Sequence, residues 1–406
     1  MRNFNDTMRI GILTFHSQLN YGGVLQCWAL QTTLQTMGHE VVVIDRWLHA
    51  DNHLLECGFN KWRIGFWTKF LLRAIMGSGD WAKLQRVRKT KGFLKAYLNL
   101  TPYHFVEWKD APKDLGIDML VVGSDQVWHC GDWGDPRAYL LVGAPKIPAI
   151  AYAASFGFAK IPIFVSEKTD ECVEALPIYK EGLSRFSAIS CREEEGVNLC
   201  RELGFSAVHV SDPTLLLDEA DWNKIVKVQP SKRKRIVCYF MSEDIPSSLA
   251  ALGEFVKSGH EVTVLLNSGI PIPMPTTPKK FVNWMRLLSC KHKRHFEILE
   301  SAGPAEFVNA IANADFVISD SFHALMFSII FGKNVRILKP KTEMRKRMIS
   351  RIREIASHMR GELFADDVSD ALSSYARHEV VEMDKEWLAL RRNQSLKFLK
   401  ENLNLQ

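Results

Sequence analysis

The sequence lacks long apolar runs and any close pairing of cysteines. No uninterrupted apolar stretch approaches the roughly 20 residues that cross a bilayer, and residues 1–7 lack the apolar core of a secretory signal. The eight cysteines are widely spaced, without a C-x-x-C pair or a Cys/His cluster at metal-ligand spacing. We therefore expect a cytoplasmic protein whose cysteines are reduced, mostly buried thiols and neither disulfides nor zinc ligands.

The composition shows no strong bias. With 47% hydrophobic and 24% charged residues, the chain resembles globular proteins more than disordered or fibrous ones. Its 406 residues predict two domains, at about 100 to 200 residues per domain. The net charge of +6 favours anionic partners, and much of the excess lies at 231–235, 291–295 and 339–353. Because no nucleic-acid-binding motif accompanies these basic segments, we expect no nucleic acid partner.

Residues 1–183 are typical of a Rossmann-like α/β domain. An apolar, β-prone run at 9–15 is followed by a glycine-containing turn, a helical pattern at 24–37 and a second β-prone run at 40–45. Apolar strands joined by a helix predict a parallel sheet that is covered on both faces.

Residues 58–100 carry aromatic and basic side chains at helical spacing, which predicts a helical insertion. Such a helix packs on its own domain or contacts an anionic membrane surface.

Two further apolar runs of this domain, at 118–122 and 150–154, also end in polar turns. In open α/β sheets, ligands bind outside the carboxyl ends of the strands. The turns at Asn20, Ser124 and Ser155 are therefore expected to converge on one site.

The alternation of strands and helices restarts in the second half of the chain. It predicts a second Rossmann-like domain at 184–375, and the periodic tail at 376–406 predicts a terminal helix that packs back on the first domain.

The most informative segment is 303–328, which has the pattern of a helix, a buried strand, a polar turn and another helix. His323 lies where this turn becomes a helix. An imidazole exchanges protons near neutral pH, and the N–H groups of a helix's first turn attract anions.

At these junctions the chain resembles the polysaccharide pyruvyl transferase family. The matching pieces follow the family's order, at 11–15 with 20–26, 122–128, 152–157, 190–196, 212–216 and 303–327. The resemblance implies an α/β fold of two Rossmann-like domains that face each other across a cleft, similar to the glycosyltransferase-B architecture. It also implies an enzyme that moves the pyruvyl unit of phosphoenolpyruvate onto two hydroxyls of a sugar, which makes a ketal and releases phosphate.

Within that chemistry, we assign His323, Arg192 and Asp125 to catalysis. His323 is the candidate acid that protonates the donor's methylene carbon. Arg192 follows a strand and is suited to the donor's phosphate or carboxylate, because a guanidinium binds either group bidentately. Asp125 is a candidate base for an attacking hydroxyl. The alternatives are a helix-capping histidine, an ion pair of Arg192 with the acidic run 193–195, and an aspartate that only forms a turn.

Other residues at the strand ends are candidates for binding. We predict that the donor contacts Ser319, Ser321, Arg336 and Lys339, although many family members carry an arginine where this chain has Ser321. The acceptor sugar is expected at the first domain's edge, with hydrogen bonds from Asn20, Tyr21, Ser124 and Gln126 and a stacking face on Trp128.

The chemistry implied by the resemblance requires neither a cofactor nor a metal. Its expected partners are phosphoenolpyruvate and a sugar or lipid-linked glycan, with transient contact to an anionic membrane surface at the inner face. Two alternatives stay open, a glycosyltransferase that uses a sugar nucleotide and a glycan- or phosphate-binding protein without activity.

Overall fold

The computed structural model describes most of the chain. The described residues are 7–16, 19–47, 80–130, 135–158, 160–162, 164–166, 172–241, 245–266, 295–340 and 350–403. The predicted insertion at 58–100 lies partly outside these residues. Its described part contains a helix at Asp80–Tyr97.

The first unit is built on a seven-stranded parallel sheet with the strand order β3-β2-β1-β4-β5-β8-β9. In chain order its elements are β1 (Arg9–Leu13), α1 (Tyr21–Thr36), β2 (Glu40–Arg46), α2 (Asp80–Tyr97), β3 (Leu100–Phe105), β4 (Met119–Val122), β5 (Ala149–Ala154), β6 (Phe164–Ser166), β7 (Cys172–Glu174), α3 (Ala175–Leu183), β8 (Ala188–Cys191), α4 (Glu194–Glu202) and β9 (Val208–His209). Strands β6 and β7 form a separate antiparallel pair.

Central strands and the first helix follow directly from local sequence. Every residue of β4 and β5 is buried, as expected for parallel strands that are covered on both faces. Helix α1 begins after Asn20, whose Oδ1 accepts a hydrogen bond of 3.0 Å from the N–H of Gly22. It ends just before Gly38, which has a φ of +96°.

The second unit contains a six-stranded parallel sheet with the order β12-β11-β10-β13-β14-β16. Its elements are α5 (Glu219–Trp222), β10 (Arg235–Phe240), α6 (Ile245–Lys257), β11 (Glu261–Leu266), β12 (Phe296–Leu299), α7 (Pro304–Ala312), β13 (Phe316–Ser319), α8 (Phe322–Ile330), β14 (Asn334–Leu338), α9 (Ser350–Ala356), β15 (Met359–Arg360), β16 (Phe364–Ala365), α10 (Val368–Ala376), β17 (Glu382–Met383) and α11 (Lys385–Leu403). Two parallel sheets of this kind agree with the predicted α/β fold.

Sheet pairing corrects the predicted boundary after residue 183. Strand β8 pairs with β5, and β9 pairs with β8, so both belong to the first sheet. The sequence pattern misplaced them because a strand, a turn and a helix look the same in either domain. Arg192, which follows β8, is therefore supplied by the first sheet and not by the second as predicted.

An aromatic core joins the two units. Tyr21 of α1 stacks on Phe307 of α7 with ring centroids 4.7 Å apart. Trp222 lies between Trp28 of α1, at 4.8 Å, and Phe327 of α8, at 4.7 Å. These side chains belong to one buried cluster that also contains strand residues of both sheets. The two units are thus docked through apolar packing.

Helix α11 lies against the first unit. The Oγ of Ser395 accepts a hydrogen bond of 2.9 Å from the N–H of Ser211, and Phe398 lies 6.3 Å from the ring of Tyr152 in β5. Arg392 donates to the carbonyls of Leu215 and Leu217. These contacts hold the end of the chain on the sheet that the beginning of the chain forms.

Five of the described cysteines, Cys27, Cys130, Cys191, Cys200 and Cys238, are free and buried. None of the helices within the described ranges combines the length and apolarity needed to cross a membrane.

Candidate active site

The site lies where the carboxyl ends of the two sheets meet. His323, at the start of α8, approaches the first turn of α1 so closely that a β carbon built on Gly22 would lie 2.0 Å from its Nδ1. The absence of a side chain at Gly22 therefore makes room for the imidazole. Arg192 and Asp125 reach the same place from the exits of β8 and β4.

His323 is buried and has one ring nitrogen without a hydrogen bond. Its Nε2 lies 3.8 Å from Oδ2 of Asp212 and has no hydrogen-bond partner among the described residues. Burial lowers the pKa of His323 below its ordinary value, and Arg192 and Arg351 act in the same direction, whereas Asp212 and Asp125 oppose them. The imidazole is therefore neutral near neutral pH in this environment.

Arg192 is the centre of a buried ion-pair network. Its Nη1 lies 3.0 Å from Oδ2 of Asp212 and 3.5 Å from Oδ1 of Asp125, and its Nε lies 3.1 Å from Oε1 of Glu193. Burial alone would lower the pKa of Arg192, but the carboxylates of Glu193, Asp125 and Asp212 outweigh it and raise that pKa. The predicted alternative, a pair with the acidic run, thus holds for Glu193. However, Nη2 has no hydrogen-bond partner among the described residues, so one donor is left for a ligand.

Asp212 connects the arginine and the histidine. Its Oδ1 accepts hydrogen bonds of 3.0 Å and 2.8 Å from the backbone N–H and the hydroxyl of Thr214, and its Oδ2 faces both Arg192 and His323. Burial alone would raise the pKa of Asp212, but His323, Arg192 and the Thr214 hydrogen bonds hold it below its ordinary value. We assigned no role to Asp212 from the sequence, although it opens the motif at 212–216.

Asp125 has an unusual backbone. Its φ is +72°, a left-handed conformation that costs a non-glycine residue roughly 1–2 kcal/mol. Its Oδ1 accepts a hydrogen bond of 2.9 Å from the N–H of Gln126, and its carbonyl accepts one of 3.0 Å from the N–H of Ser155. Such strained residues often occur at functional sites. The turn and the proposed catalytic role are therefore compatible, because the turn itself directs the carboxylate toward Arg192.

One further residue of the site, Arg351, was not predicted. Arg351, on the short helix α9, is buried with its Nε 3.8 Å from Oε1 of Glu193. Its guanidinium carbon lies 5.4 Å from the ring centroid of Phe322. Burial lowers the pKa of Arg351 to about 10, with a further lowering by Arg192, while Glu193 opposes both. The only signal in the sequence was the basic composition of 339–353.

Two of the predicted donor contacts are paired with other protein groups. Arg336 is buried at the strand β14, where its Nη1 donates to Oδ1 of Asn334 and its Nη2 donates to the carbonyl of Glu379. Lys339 is exposed and pairs with Asp366 at 2.7 Å. Each cation is thus paired with protein groups, and its contact with the donor stays a prediction.

Ser319 and Ser321 do lie at the exit of β13, next to His323. The hydroxyl of Ser319 donates to the carbonyl of Tyr239 and accepts a hydrogen bond from the N–H of Ser321, so it shapes the turn. Ser321 is the N-cap of α8 but makes no side-chain capping hydrogen bond among the described residues. Of the two, Ser321 is the better placed to contact a ligand.

Three of the predicted acceptor contacts are corrected by their burial. Trp128 is fully buried and its Nε1 donates to the carbonyl of Tyr139, so it offers no stacking face. Ser124 is also fully buried, and its hydroxyl donates to the carbonyl of Ala153. The hydroxyl of Tyr21 donates to the carbonyl of Ala302 at 3.0 Å, which makes this residue part of the contact between the units.

Asn20 and Gln126 remain at the edge of the first sheet. Asn20 is partly exposed and caps α1. The Nε2 of Gln126 is buried without a hydrogen-bond partner among the described residues. A β carbon on Gly157 would lie 2.7 Å from this nitrogen, so the amide lies close against the turn after β5. These two residues are the predicted acceptor contacts that the structure leaves in place.

The charges of the site couple the binding of an anion to the protonation of His323. Three carboxylates, Asp125, Glu193 and Asp212, face the guanidinium groups of Arg192 and Arg351, and His323 lies among them as a neutral base. An anion that bonds to Nη2 of Arg192 would raise the proton affinity of His323. Within the described residues, no group of three or more His, Cys, Asp or Glu side chains is arranged to hold a metal ion.

Comparison with known proteins identifies the family. The family model described as polysaccharide pyruvyl transferase matches residues 20–341. No curated protein matches the chain. The chain belongs to the polysaccharide pyruvyl transferase family.

Solved structures that match this chain over most of its length share little sequence with it. MnaA of S. aureus, solved with UDP, has 11% identity and a TM-score of 0.49, with 99% of this chain and 98% of that chain covered. The UDP-GlcNAc 2-epimerase of Neisseria meningitidis, bound to UDP-GlcNAc, has 10% identity and a TM-score of 0.48, with 97% and 99% covered. The glycosyltransferase SsfS6 of Streptomyces sp. SF2575, complexed with thymidine diphosphate, has 14% identity and a TM-score of 0.38, with 98% of both chains covered. These values are too low to transfer a ligand or an activity to this chain.

Proposed function

We propose that this member of the family transfers the pyruvyl unit of phosphoenolpyruvate to two hydroxyls of a sugar in a polysaccharide or in its lipid-linked precursor. The observation that carries the proposal is the pairing of a buried, neutral His323 with Arg192 across the two units, each with one nitrogen unsatisfied among the described residues. An acid and an anion-binding group at one point are what an enol phosphate donor requires.

The first step is protonation of the donor. His323, charged when the donor is bound, gives a proton to the methylene carbon of the enol, and positive charge develops at C2. Arg192 holds an oxyanion of the donor through Nη2. A sugar hydroxyl attacks C2 and gives its proton to Asp125, the carboxylate that lies 3.5 Å from Nη1 of Arg192.

The second step releases phosphate and closes the ketal. The bond between C2 and the phosphate oxygen breaks, phosphate leaves with one proton, and the neighbouring hydroxyl attacks C2 and loses its own proton. Two protons leave the sugar, while one is gained by the methyl carbon and one by the phosphate, so the balance closes. In this scheme one carboxylate and one imidazole serve both additions by exchanging protons in turn.

The acceptor enters from the first sheet. Asn20 and Gln126 lie at its carboxyl edge, where neutral amides suit the hydroxyls of a sugar. When the acceptor is lipid-linked, the reaction takes place in the cytoplasm at the inner face of the membrane. This placement puts the donor between α8 of the second unit and Arg192 of the first unit, with the acceptor at the strand exits of the first unit.

Turnover with defined substrates tests the proposal. Phosphoenolpyruvate is mixed with galactose- or mannosamine-type glycans, and phosphate release and the mass of the glycan are measured. We expect phosphate and a product heavier by one pyruvyl ketal. His323→Gln should lower kcat by about 10²- to 10⁴-fold. His260→Gln, at a histidine of the second unit that contacts Ser258 and Phe255, is the control and should keep the wild-type rate.

The result that contradicts the proposal is equally direct. It is the absence of both turnover and phosphoenolpyruvate binding with every such glycan, together with a thermal shift by nucleotide sugars. That outcome would favour a glycosyltransferase. Full activity of His323→Gln would remove His323 as the acid.

A further inference from the structure

Two buried guanidinium groups lie beside one phenyl ring. The Cζ atoms of Arg192 and Arg351 are 5.0 Å and 5.4 Å from the ring centroid of Phe322. Their Nε atoms approach the same oxygen, Oε1 of Glu193, at 3.1 Å and 3.8 Å. The side chains are only 2% and 10% exposed. Oε1 of Glu193 already offsets part of the repulsion between these buried like charges, and a ligand anion bound to both would offset more of it.

The position of Arg351 is fixed from the first unit. Arg351 and Glu354 are three residues apart on α9 and therefore share one face of the helix. Glu354 Oε1 lies 3.1 Å from Nε2 of His209, and the same nitrogen lies 3.0 Å from the carbonyl of Arg192. Helix α9 thus contacts the loop of Arg192 at two points. These contacts hold the guanidinium groups of Arg192 and Arg351 next to each other, although the two residues come from different units.

Nitrogen atoms without a hydrogen-bond partner lie near these groups, and protonation of His323 makes both of its ring nitrogens donors. The Nη2 of Arg192 and the Nε2 of His323 are buried without a hydrogen-bond partner among the described residues. Phe322 and His323 are also the first two residues of α8, whose N-terminal N–H groups attract an anion. An oxyanion placed here would satisfy donors that the described protein groups leave unsatisfied.

We infer that Arg351 is a second anion-binding residue of the donor site and binds, together with Arg192, an oxyanion of a small donor that carries both a phosphate and a carboxylate. The identity of that donor as phosphoenolpyruvate rests on the proposed function. Phosphate and carboxylate are both bound bidentately by arginine, so either group fits the pair.

Variants of two arginines on the same helix test the inference. Arg351→Gln removes the buried charge, Arg351→Lys keeps the charge without the planar fork, and Arg353→Gln removes an exposed charge from α9 as the matched control. The measurements are the KM for phosphoenolpyruvate, the KM for the acceptor, and inhibition by inorganic phosphate and by pyruvate. We expect Arg351→Gln to raise the KM for phosphoenolpyruvate by about tenfold or more. The acceptor KM should stay within about twofold, as removal of a donor contact alone predicts.

The two inhibitors distinguish the group that Arg351 binds. Weaker inhibition by phosphate alone assigns the phosphate to Arg351, and weaker inhibition by pyruvate alone assigns the carboxylate. If Arg351→Gln does not fold, Arg351→Lys decides, with an expected increase in donor KM that Arg353→Gln does not show. An unchanged donor KM and unchanged inhibition by both anions in a folded Arg351 variant would overturn the inference.

Failure of the proposed function gives a different result. In that case wild-type protein neither binds nor turns over phosphoenolpyruvate. Binding of inorganic phosphate, measured by calorimetry, then tests the anion site by itself. Phosphate binding that is lost in Arg351→Gln supports the inference, and phosphate binding that is equal in both proteins overturns it.

Discussion

The imidazole of His323 rests against the backbone of Gly22, on a helix of the opposite unit. A β carbon on Gly22 would lie 2.0 Å from Nδ1 and 2.3 Å from Cε1, distances that the ring avoids only by moving. Glycine is therefore required here for a close approach and not for its backbone freedom. The position of His323 in the second unit thus depends on the lack of a β carbon at Gly22 in the first unit.

Gly22→Ala should lower kcat by about tenfold or more, because an acid that is displaced by an ångström protonates its target poorly. Steady-state rates with saturating donor and acceptor measure this effect. Gly92→Ala is the matched control. Gly92 is an exposed residue in the middle of α2, and no described atom would lie within 4 Å of a β carbon added to it. The control should keep the rate and gain about 0.5–1 kcal/mol of stability. Equal rates in both variants would show that His323 tolerates the shift.

Donor binding should take up a proton. Burial lowers the pKa of His323 in the empty enzyme, and the negative charge of the donor raises it again. Protonated enzyme is the form that reacts, so kcat/KM for the donor should fall as the pH rises through the lowered pKa of the free enzyme. The fall in kcat should lie at higher pH, because kcat reports the donor complex.

Calorimetry in two buffers of different ionisation enthalpy measures the proton directly. At a pH where the donor phosphate is fully ionised, wild-type enzyme should bind phosphoenolpyruvate with net proton uptake, and His323→Gln should bind it without. The expectation fails if both proteins show the same uptake, or if the two pH profiles coincide.

Asp212 should contribute to stability as well as to the site. Asp212→Asn keeps the shape of the side chain but removes a fully buried charge next to Arg192, and loss of one partner of a buried pair costs about 3–5 kcal/mol. Denaturant unfolding measures the loss. Asp110→Asn, at an exposed position, should change little.

The difference between wild type and Asp212→Asn should depend on pH in one direction. The pKa of Asp212 is lowered by folding, so its stabilising effect is present above the pKa of the unfolded chain and is lost as the pH falls through the folded value. The two proteins should therefore converge in stability under acid conditions. A difference that grows as the pH falls would contradict this assignment.

Variants of Tyr21 and Gln126 should show which of the two residues contacts the acceptor and which only joins the two units. Tyr21→Phe removes the hydroxyl that donates to Ala302 across the two units and should cost about 1 kcal/mol of stability. Its acceptor KM should remain within about twofold of wild type, because the hydroxyl is already bonded to the carbonyl of Ala302. Gln126→Ala should raise the acceptor KM by about fivefold, the effect of one lost hydrogen bond. The reverse pattern would restore Tyr21 to the acceptor site.

The sequence predicted the elements better than their partners. Continuous apolar runs gave β4 and β5 correctly, because parallel strands are buried on both faces. The pattern could not assign β8 to a sheet, since strand pairing depends on residues far along the chain. This error assigned Arg192 to the wrong unit, although the structure brings Arg192 and His323 to the same oxygen of Asp212.

The positions of site residues could be predicted only where a strand runs directly into a polar turn. His323 and Asp125 follow strand ends, and the structure places both at the meeting of the two sheets. Trp128 also follows a strand end, but its ring turns into the core, which no local pattern indicates. Arg351 was missed for the opposite reason. It lies on a helix within a basic segment, and only the packing of that helix brings its charge to Glu193.

The origin of Arg192 and His323 on different sheets has a consequence for dissection of the enzyme. A fragment with the first sheet alone would contain Arg192 without His323, and a fragment with the second sheet alone would contain His323 without Arg192. The two units, produced separately, should regain turnover only when they are mixed. The rate at which turnover returns would report how quickly the aromatic core between the units forms.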